Sequence, residues 1–135
     1  MTELEQARLL RAARDAQTRA YAPYSNFAVG AAVLDEQGHI HAGCNVENAA
    51  YPEGVCAEAG ALSAMVLAGG RQVRALAVVG DGVGLVTPCG GCRQKLRKFA
   101  AADTPVLVGD REHLRAEYTL GRLLPESFGP ENLAP

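Results

Sequence analysis

The sequence predicts an α/β fold: a mixed, roughly five-stranded sheet with helices on both faces, in three α/β/α layers. Short apolar segments of strand length alternate with longer segments of helical character along one chain. The first of these strands, Phe27 to Leu34, is apolar at both parities, as for a strand covered on both faces. Asp35-Glu36-Gln37-Gly38 directly after it is a hairpin-type turn, which adds an antiparallel pair. With 135 residues and 48% hydrophobic content, the chain is read as one domain, residues 1–135.

Taken in order, Thr2 and Glu5 have capping-box spacing, and Leu4, Leu10, Ala13 and Ala20 fall near one helical face. Residues 3–20 are therefore expected to form an amphipathic helix, stopped by Pro23. After the hairpin turn, His39 to Glu47 alternates. Ile40, Ala42, Cys44 and Val46 share one face, and His39, His41, Asn45 and Glu47 the other. Asn48 to Val55 is a loop. From Cys56 to Gly70 the only formal charge is Glu58, so this segment reads as a helix buried on most sides and ended by Gly69-Gly70. A strand over 75–80, a loop over 81–88, a second helix over 89–101 and a strand over 105–108 follow. A last short strand is expected at 117–120, then a helical turn at 120–125 and an irregular tail. Gly80-x-Gly82-x-Gly84 lacks the Lys-Ser/Thr of a phosphate loop and the spacing of a dinucleotide fingerprint, and reads as a plain turn.

Net charge is −2 and aromatic content only 5%, with acids and bases interspersed, so no nucleic-acid footprint is expected. No run reaches transmembrane length, and the start lacks a signal-peptide pattern. A cytoplasmic location is expected, where thiols stay reduced and the four cysteines point to metal or catalysis before disulfides.

The chemistry concentrates in Cys56-Ala57-Glu58 and Pro88-Cys89-Gly90-Gly91-Cys92. The gap between Cys89 and Cys92 lets both thiolates reach one zinc from the first turn of a helix, and Cys56 opens a helix of its own. Three protein ligands leave a fourth position for water, the catalytic arrangement of zinc. A lone carboxylate in an apolar helix costs too much to be a solubility residue, and Glu58 is expected to handle protons. Cys-x-Glu followed by Pro-Cys-x-x-Cys matches the signature of zinc deaminases. In that chemistry zinc-bound water attacks C4 of a cytosine, and Glu58 shuttles protons to ring N3 and the leaving amine.

The chain resembles the small, homotetrameric cytidine deaminases over essentially its whole length. The motifs that carry the resemblance are Tyr21-Ala22-Pro23-Tyr24-Ser25, Phe27-Ala28-Val29-Gly30-Ala31-Ala32, Gly43-Cys44-Asn45-Val46-Glu47-Asn48-Ala49-Ala50-Tyr51, Cys56-Ala57-Glu58, Pro88-Cys89-Gly90-Gly91-Cys92-Arg93-Gln94 and Leu123-Leu124-Pro125. The resemblance implies one zinc per chain, held by Cys56, Cys89 and Cys92, with Glu58 catalytic. It implies that Asn45 and Glu47 hold the ribose 3′-hydroxyl, that Phe27 lines the nucleoside pocket, and that the Ala57 N–H meets the pyrimidine carbonyl. Ala49 and Tyr51 would contact the ribose from one neighbouring subunit and Phe128 the base from another, in a homotetramer with shared sites. A small nucleoside substrate, no membrane partner and a role in pyrimidine salvage follow from the same likeness. Many relatives carry an arginine directly after the catalytic glutamate; here it is Ala59. The helix N-termini and Arg93 are the candidates to offset the thiolate charge in its place.

Other readings stand beside these. The cysteines are otherwise packed thiols, or a closed structural zinc with Cys44 as fourth ligand; strand parity opposes the latter and makes Cys44 a core thiol. Glu58 is otherwise a buried acid paired to a base. His39, His41 and His113 read as exposed, Tyr51 as either a rim or a functional residue, and Phe128 as either a tail anchor or a stacking residue. The rival functions are a deaminase of another aminated nucleoside, such as an antibiotic of the blasticidin type, and a non-catalytic zinc-stabilised binding protein.

Overall fold

The computed structural model describes residues 1–133. Helix α1 spans Glu3–Gln17 and opens on the expected capping box: the Thr2 hydroxyl accepts from the Glu5 N–H, and the Glu5 carboxylate from the Thr2 N–H, both at 3.0 Å. It stops earlier than residue 20. The Thr18 hydroxyl turns back to the Asp15 carbonyl at 2.6 Å, and the Arg19 N–H closes a tighter turn on the Ala16 carbonyl. Its buried stripe is Leu9, Leu10, Ala13 and Gln17; Leu4 is exposed, and Ala20 lies beyond the helix.

Strands β1 (Val29–Asp35), β2 (Ile40–Cys44), β3 (Val73–Gly80), β4 (Pro105–Gly109) and β5 (Leu114–Thr119) form a mixed sheet in the order β2-β1-β3-β4-β5. Only β3 and β4 are parallel. Helix α1 covers one face, packing Leu9, Leu10 and Ala13 on Ala32, Leu34, Ala77 and Val79. The other face carries α2 (Ala57–Leu67) and α3 (Gly90–Phe99), whose Ala61, Leu62, Met65 and Leu96 pack on Ala31, Val33, Val78 and Val106. Successive residues of β1 thus enter different cores, which is why the strand is apolar at both parities. The strand at 117–120 begins earlier, at Leu114. Asp110 Oδ1 accepts the N–H groups of Glu112 and His113 and makes the charged run Asp110–His113 a hairpin turn. The short α4 (Leu120–Leu123) follows, then a tail whose Ser127 and Glu131 bind Arg97. Among the described residues no helix is long and apolar enough to cross a membrane.

Three burial expectations are corrected. Helix α2 is not buried on most sides: Ala57, Glu58, Ala61, Leu62 and Met65 face the sheet, whereas Ser63, Val66 and Leu67 are exposed. One sheet face can cover only one side of a helix. On β2, which lies at the sheet edge, the Ala42–Cys44 face meets only the end of α1. Ala42 is exposed, and Cys44 is a half-buried thiol donating to the Arg19 carbonyl at 3.6 Å rather than a core thiol. His41 is not a free surface residue: its ring is nearly buried, with Nε2 2.8 Å from Asp35 Oδ2. His39 and His113 are exposed as expected.

Glycine at 43 lets α2 lie directly on β2. A Cβ there would sit 2.5 Å from the Ala57 carbonyl oxygen and 2.7 Å from the Gly60 carbonyl carbon, both helix backbone that cannot swing away. This contact fixes the helix bearing Cys56 and Glu58. Gly43→Ala is expected to cost about 1–3 kcal/mol of stability, as overpacking does, read as a lower urea midpoint.

Candidate metal centre and active site

Cys56 is the N-cap of α2 and Cys89 the N-cap of α3, and neither helix start has a side-chain cap. Their first-turn N–H groups, with the positive end of each helix dipole, therefore converge on the sulfurs. Cys92 is the third residue of α3 and buried. The sulfurs of Cys56, Cys89 and Cys92 all lie within 4.8 Å of one another, Cys56 and Cys89 at 3.7 Å. A tetrahedral zinc with bonds near 2.3 Å places its sulfurs about 3.8 Å apart, so the cluster has the dimensions zinc needs. Its composition fits too, being three soft thiols with no fourth ligand among the described residues. Cys44, on the opposite face of β2, is not part of it.

The electrostatics point to the same cation. Burial pushes the Cys92 thiol well above its ordinary pKa, reinforced by the negative charges of Glu58 and Cys56. Burial and the Cys89 thiol also raise Cys56. Cys89 alone is lowered: burial opposes its ionisation, but the Cys92 N–H and the neighbouring thiols outweigh it. Three adjacent thiolates are not tolerated without a metal to ionise them. Arg93, a candidate to offset this charge in place of an arginine at Ala59, does not reach them. Its guanidinium donates to the Pro88 carbonyl at 2.7 Å, the Leu123 carbonyl at 2.8 Å and the Thr87 hydroxyl at 3.0 Å. The helix N-termini remain to offset the charge, with the Cys92 N–H on the Cys89 sulfur as the direct instance.

Glu58, in the first turn of α2, is 4% exposed, and burial raises its pKa; its own backbone N–H and Lys95 act weakly in the other direction. It has no ion-pair partner within 4 Å among the described residues, which removes the paired-acid reading. An acid so placed carries a proton near neutral pH more readily than a surface glutamate.

The expected strand 39–47 ends at Cys44, so Asn45 and Glu47 lie just beyond β2, where both hold the segment 24–29. Asn45 Oδ1 accepts the Val29 N–H at 2.8 Å, and its Nδ2 donates to the Phe27 carbonyl at 2.9 Å. Glu47 accepts the N–H groups of Tyr24 and Ser25 at 3.0 Å and a short bond from the Ser25 hydroxyl. The Ser25 hydroxyl and N–H hold the Glu47 carboxyl below the usual range, hence ionised. Glu47 lines a cavity of about 370 Å³ with Tyr24, Ser25, Asn48, Tyr51 and Gly54, where the Tyr24 and Tyr51 rings meet edge-on at 6.2 Å. Phe27 instead lines a neighbouring groove with residues 81–87. Ala57 is buried at the start of α2, while Ala49, Tyr51 and Phe128 stand exposed. Sequence reasoning missed the roles of Ser25 and Thr87; each depends on a partner set by the fold and leaves no periodic signal.

The family model for the cytidine and deoxycytidylate deaminase zinc-binding region matches residues 4–108. The chain belongs to that family. It is 43% identical over 127 residues to the cytidine deaminase of Sporosarcina psychrophila, covering 94% of this chain and 93% of the relative. The Mycobacterium tuberculosis cytidine deaminase is 40% identical over 121 residues, covering 90% and 87%. Among solved structures, the Burkholderia pseudomallei cytidine deaminase superposes with a TM-score of 0.86 at 41% identity, over 95% of this chain and all of the other. The M. tuberculosis structure gives 0.80 at 39%, over 92% and 97%. The three-layer fold is thus the fold of the cytidine deaminases, and one zinc per chain is the cofactor that the thiol cluster fits.

Replacing Cys56, Cys89 or Cys92 by Ala is expected to weaken zinc binding by more than about 100-fold, beyond what loss of an outer-shell partner costs. Cys44→Ala should keep one zinc per chain. Metal analysis of the purified variants checks both.

Proposed function

We propose that this chain catalyses the zinc-dependent hydrolytic deamination of cytidine and 2′-deoxycytidine to uridine and 2′-deoxyuridine. The observation that carries this reading is the three-thiol cluster, with no fourth ligand among the described residues and the buried Glu58, without an ion-pair partner there, two residues from Cys56. Cys56, Cys89 and Cys92 would hold the zinc, which when bound supplies the Lewis acidity that turns water into a nucleophile near neutral pH. Glu58 then accepts the proton of the attacking water on its carboxylate. It delivers a proton to ring N3 as C4 is attacked, and later one to the departing amine. Its raised pKa suits both directions of transfer. The uncapped Ala57 N–H offers a donor for the pyrimidine carbonyl. Glu47, held ionised by Ser25 and Tyr24, would accept the ribose 3′-hydroxyl together with Asn45. Phe27 would wall the base.

A homotetramer with shared sites belongs to the same reading. Val66, Leu67, Tyr51 and Phe128 are exposed apolar side chains, and contact with neighbouring copies would cover them and bring Ala49, Tyr51 and Phe128 to a second site. A cytoplasmic enzyme of pyrimidine salvage is the matching role. An open fourth position and an unpaired buried acid give a scaffold protein no advantage. The cytidine deaminases to which the chain is similar over most of its length do not favour an antibiotic nucleoside.

Ultraviolet-monitored deamination tests the proposal. Wild type is expected to consume the cytidine spectrum, and Glu58→Gln, with its zinc content verified, to be slower by about 10²–10⁴-fold, the range for losing a general acid–base. Wild type that is inactive with zinc bound would remove cytidine as substrate.

A further inference from the structure

The loop joining β3 to α3, residues 81–88, is pinned at both ends by groups outside it. At its start Asp81 accepts from Gln17 Nε2 at 3.1 Å and from Arg111 Nη2 at 2.8 Å. At its end Thr87 and Pro88 are held by Arg93. The tip between them has no packing: Val83 is fully exposed, and a Cβ built on Gly82 or Gly84 meets nothing within 4 Å. What holds the tip is Arg115 on β5. Its Nη1 donates to the Gly82 carbonyl at 3.0 Å and the Gly84 carbonyl at 3.2 Å, and its Nη2 to the Val83 carbonyl at 2.9 Å. One guanidinium gathers three successive carbonyls, with its Nε 4.0 Å from Asp110 Oδ2. The glycine-rich turn thus presents acceptors to a cation, the reverse of a phosphate loop. Arg115 also lies beyond the residues matched by the family model, 4–108.

The pinned loop faces Phe27 across the groove of about 400 Å³ and runs directly into the zinc ligand Cys89. We propose that Arg115 is a positioning residue: by gathering the Gly82, Val83 and Gly84 carbonyls it fixes the wall opposite Phe27 and sets affinity for the nucleoside. This rests on the deaminase reading above. Without the clamp the three-residue tip is free to move, and binding must order it, so the cost falls on KM. The metal ligands keep their own anchor through Arg93, so kcat and zinc content are spared.

The test compares wild type with Arg115→Met, Arg115→Lys, Gly82→Ala and the double variant R115M/G82A, each with zinc quantified. Gly82 has φ of +121°, so alanine there deforms the same turn independently of Arg115. Arg115→Met is expected to raise KM for cytidine about tenfold with kcat changed less than about twofold, the mark of lost uniform binding. Lys should fall between Met and wild type, and the double variant should be no worse than the poorer single, because both act through one loop. Backbone NMR order parameters over residues 82–84 should fall in Arg115→Met. Unchanged order parameters would overturn the clamp whatever the activity. Unchanged KM, or fully additive effects, would overturn its link to substrate. Wild type inert toward cytidine would instead overturn the deaminase reading and, with it, that link.

Discussion

Everything in this molecule answers to the need to hold three sulfur atoms a few ångströms apart at the ends of two helices. Thiols packed that closely resist ionisation, as burial and mutual repulsion on Cys56 and Cys92 show, and a divalent cation resolves the conflict. The sheet makes the convergence possible. Parallel β3 and β4 deliver α3 to the same face as α2, and Gly43 lets α2 settle onto β2 closely enough to bring its N-terminus alongside.

From that convergence the chemistry follows without a catalytic histidine. Glu58 is buried because its helix is buried on that side, and its pKa rises because it is buried; the packing that positions the group also tunes it. The side that carries the cavity of about 370 Å³ is organised differently, by hydrogen bonds rather than by packing. Asn45 and Glu47 spend most of their bonding capacity on residues 24–29, so their first effect is to shape that segment beside the cavity. The tip of the glycine-rich loop opposite Phe27 is likewise held by a single guanidinium, that of Arg115.

The parts legible in the sequence were those with a local signature. The capping box of Thr2 and Glu5, the dual parity of β1, the Asp35–Gly38 turn and the Cys-x-Glu and Cys-x-x-Cys spacings are written over a few consecutive residues. What escaped was set by the neighbour across the fold. The burial of His41 depends on Asp35, and the exposure of Ala42 follows from β2 being an edge. The exposed side of α2 is apolar although one chain does not cover it, so apolar content alone overstated its burial. Arg93 sits beside the ligands in sequence yet turns its guanidinium toward Thr87, Pro88 and Leu123; adjacency carried no information on direction.

Zinc K-edge X-ray absorption on the purified protein tests the central claim most directly, since it counts the atoms around the metal. Three sulfur neighbours at about 2.3 Å and one lighter neighbour at about 2.0–2.2 Å are the expected result for a catalytic centre open on one side. Four sulfurs, with Cys44 drawn in, would mean a closed structural site and would contradict it.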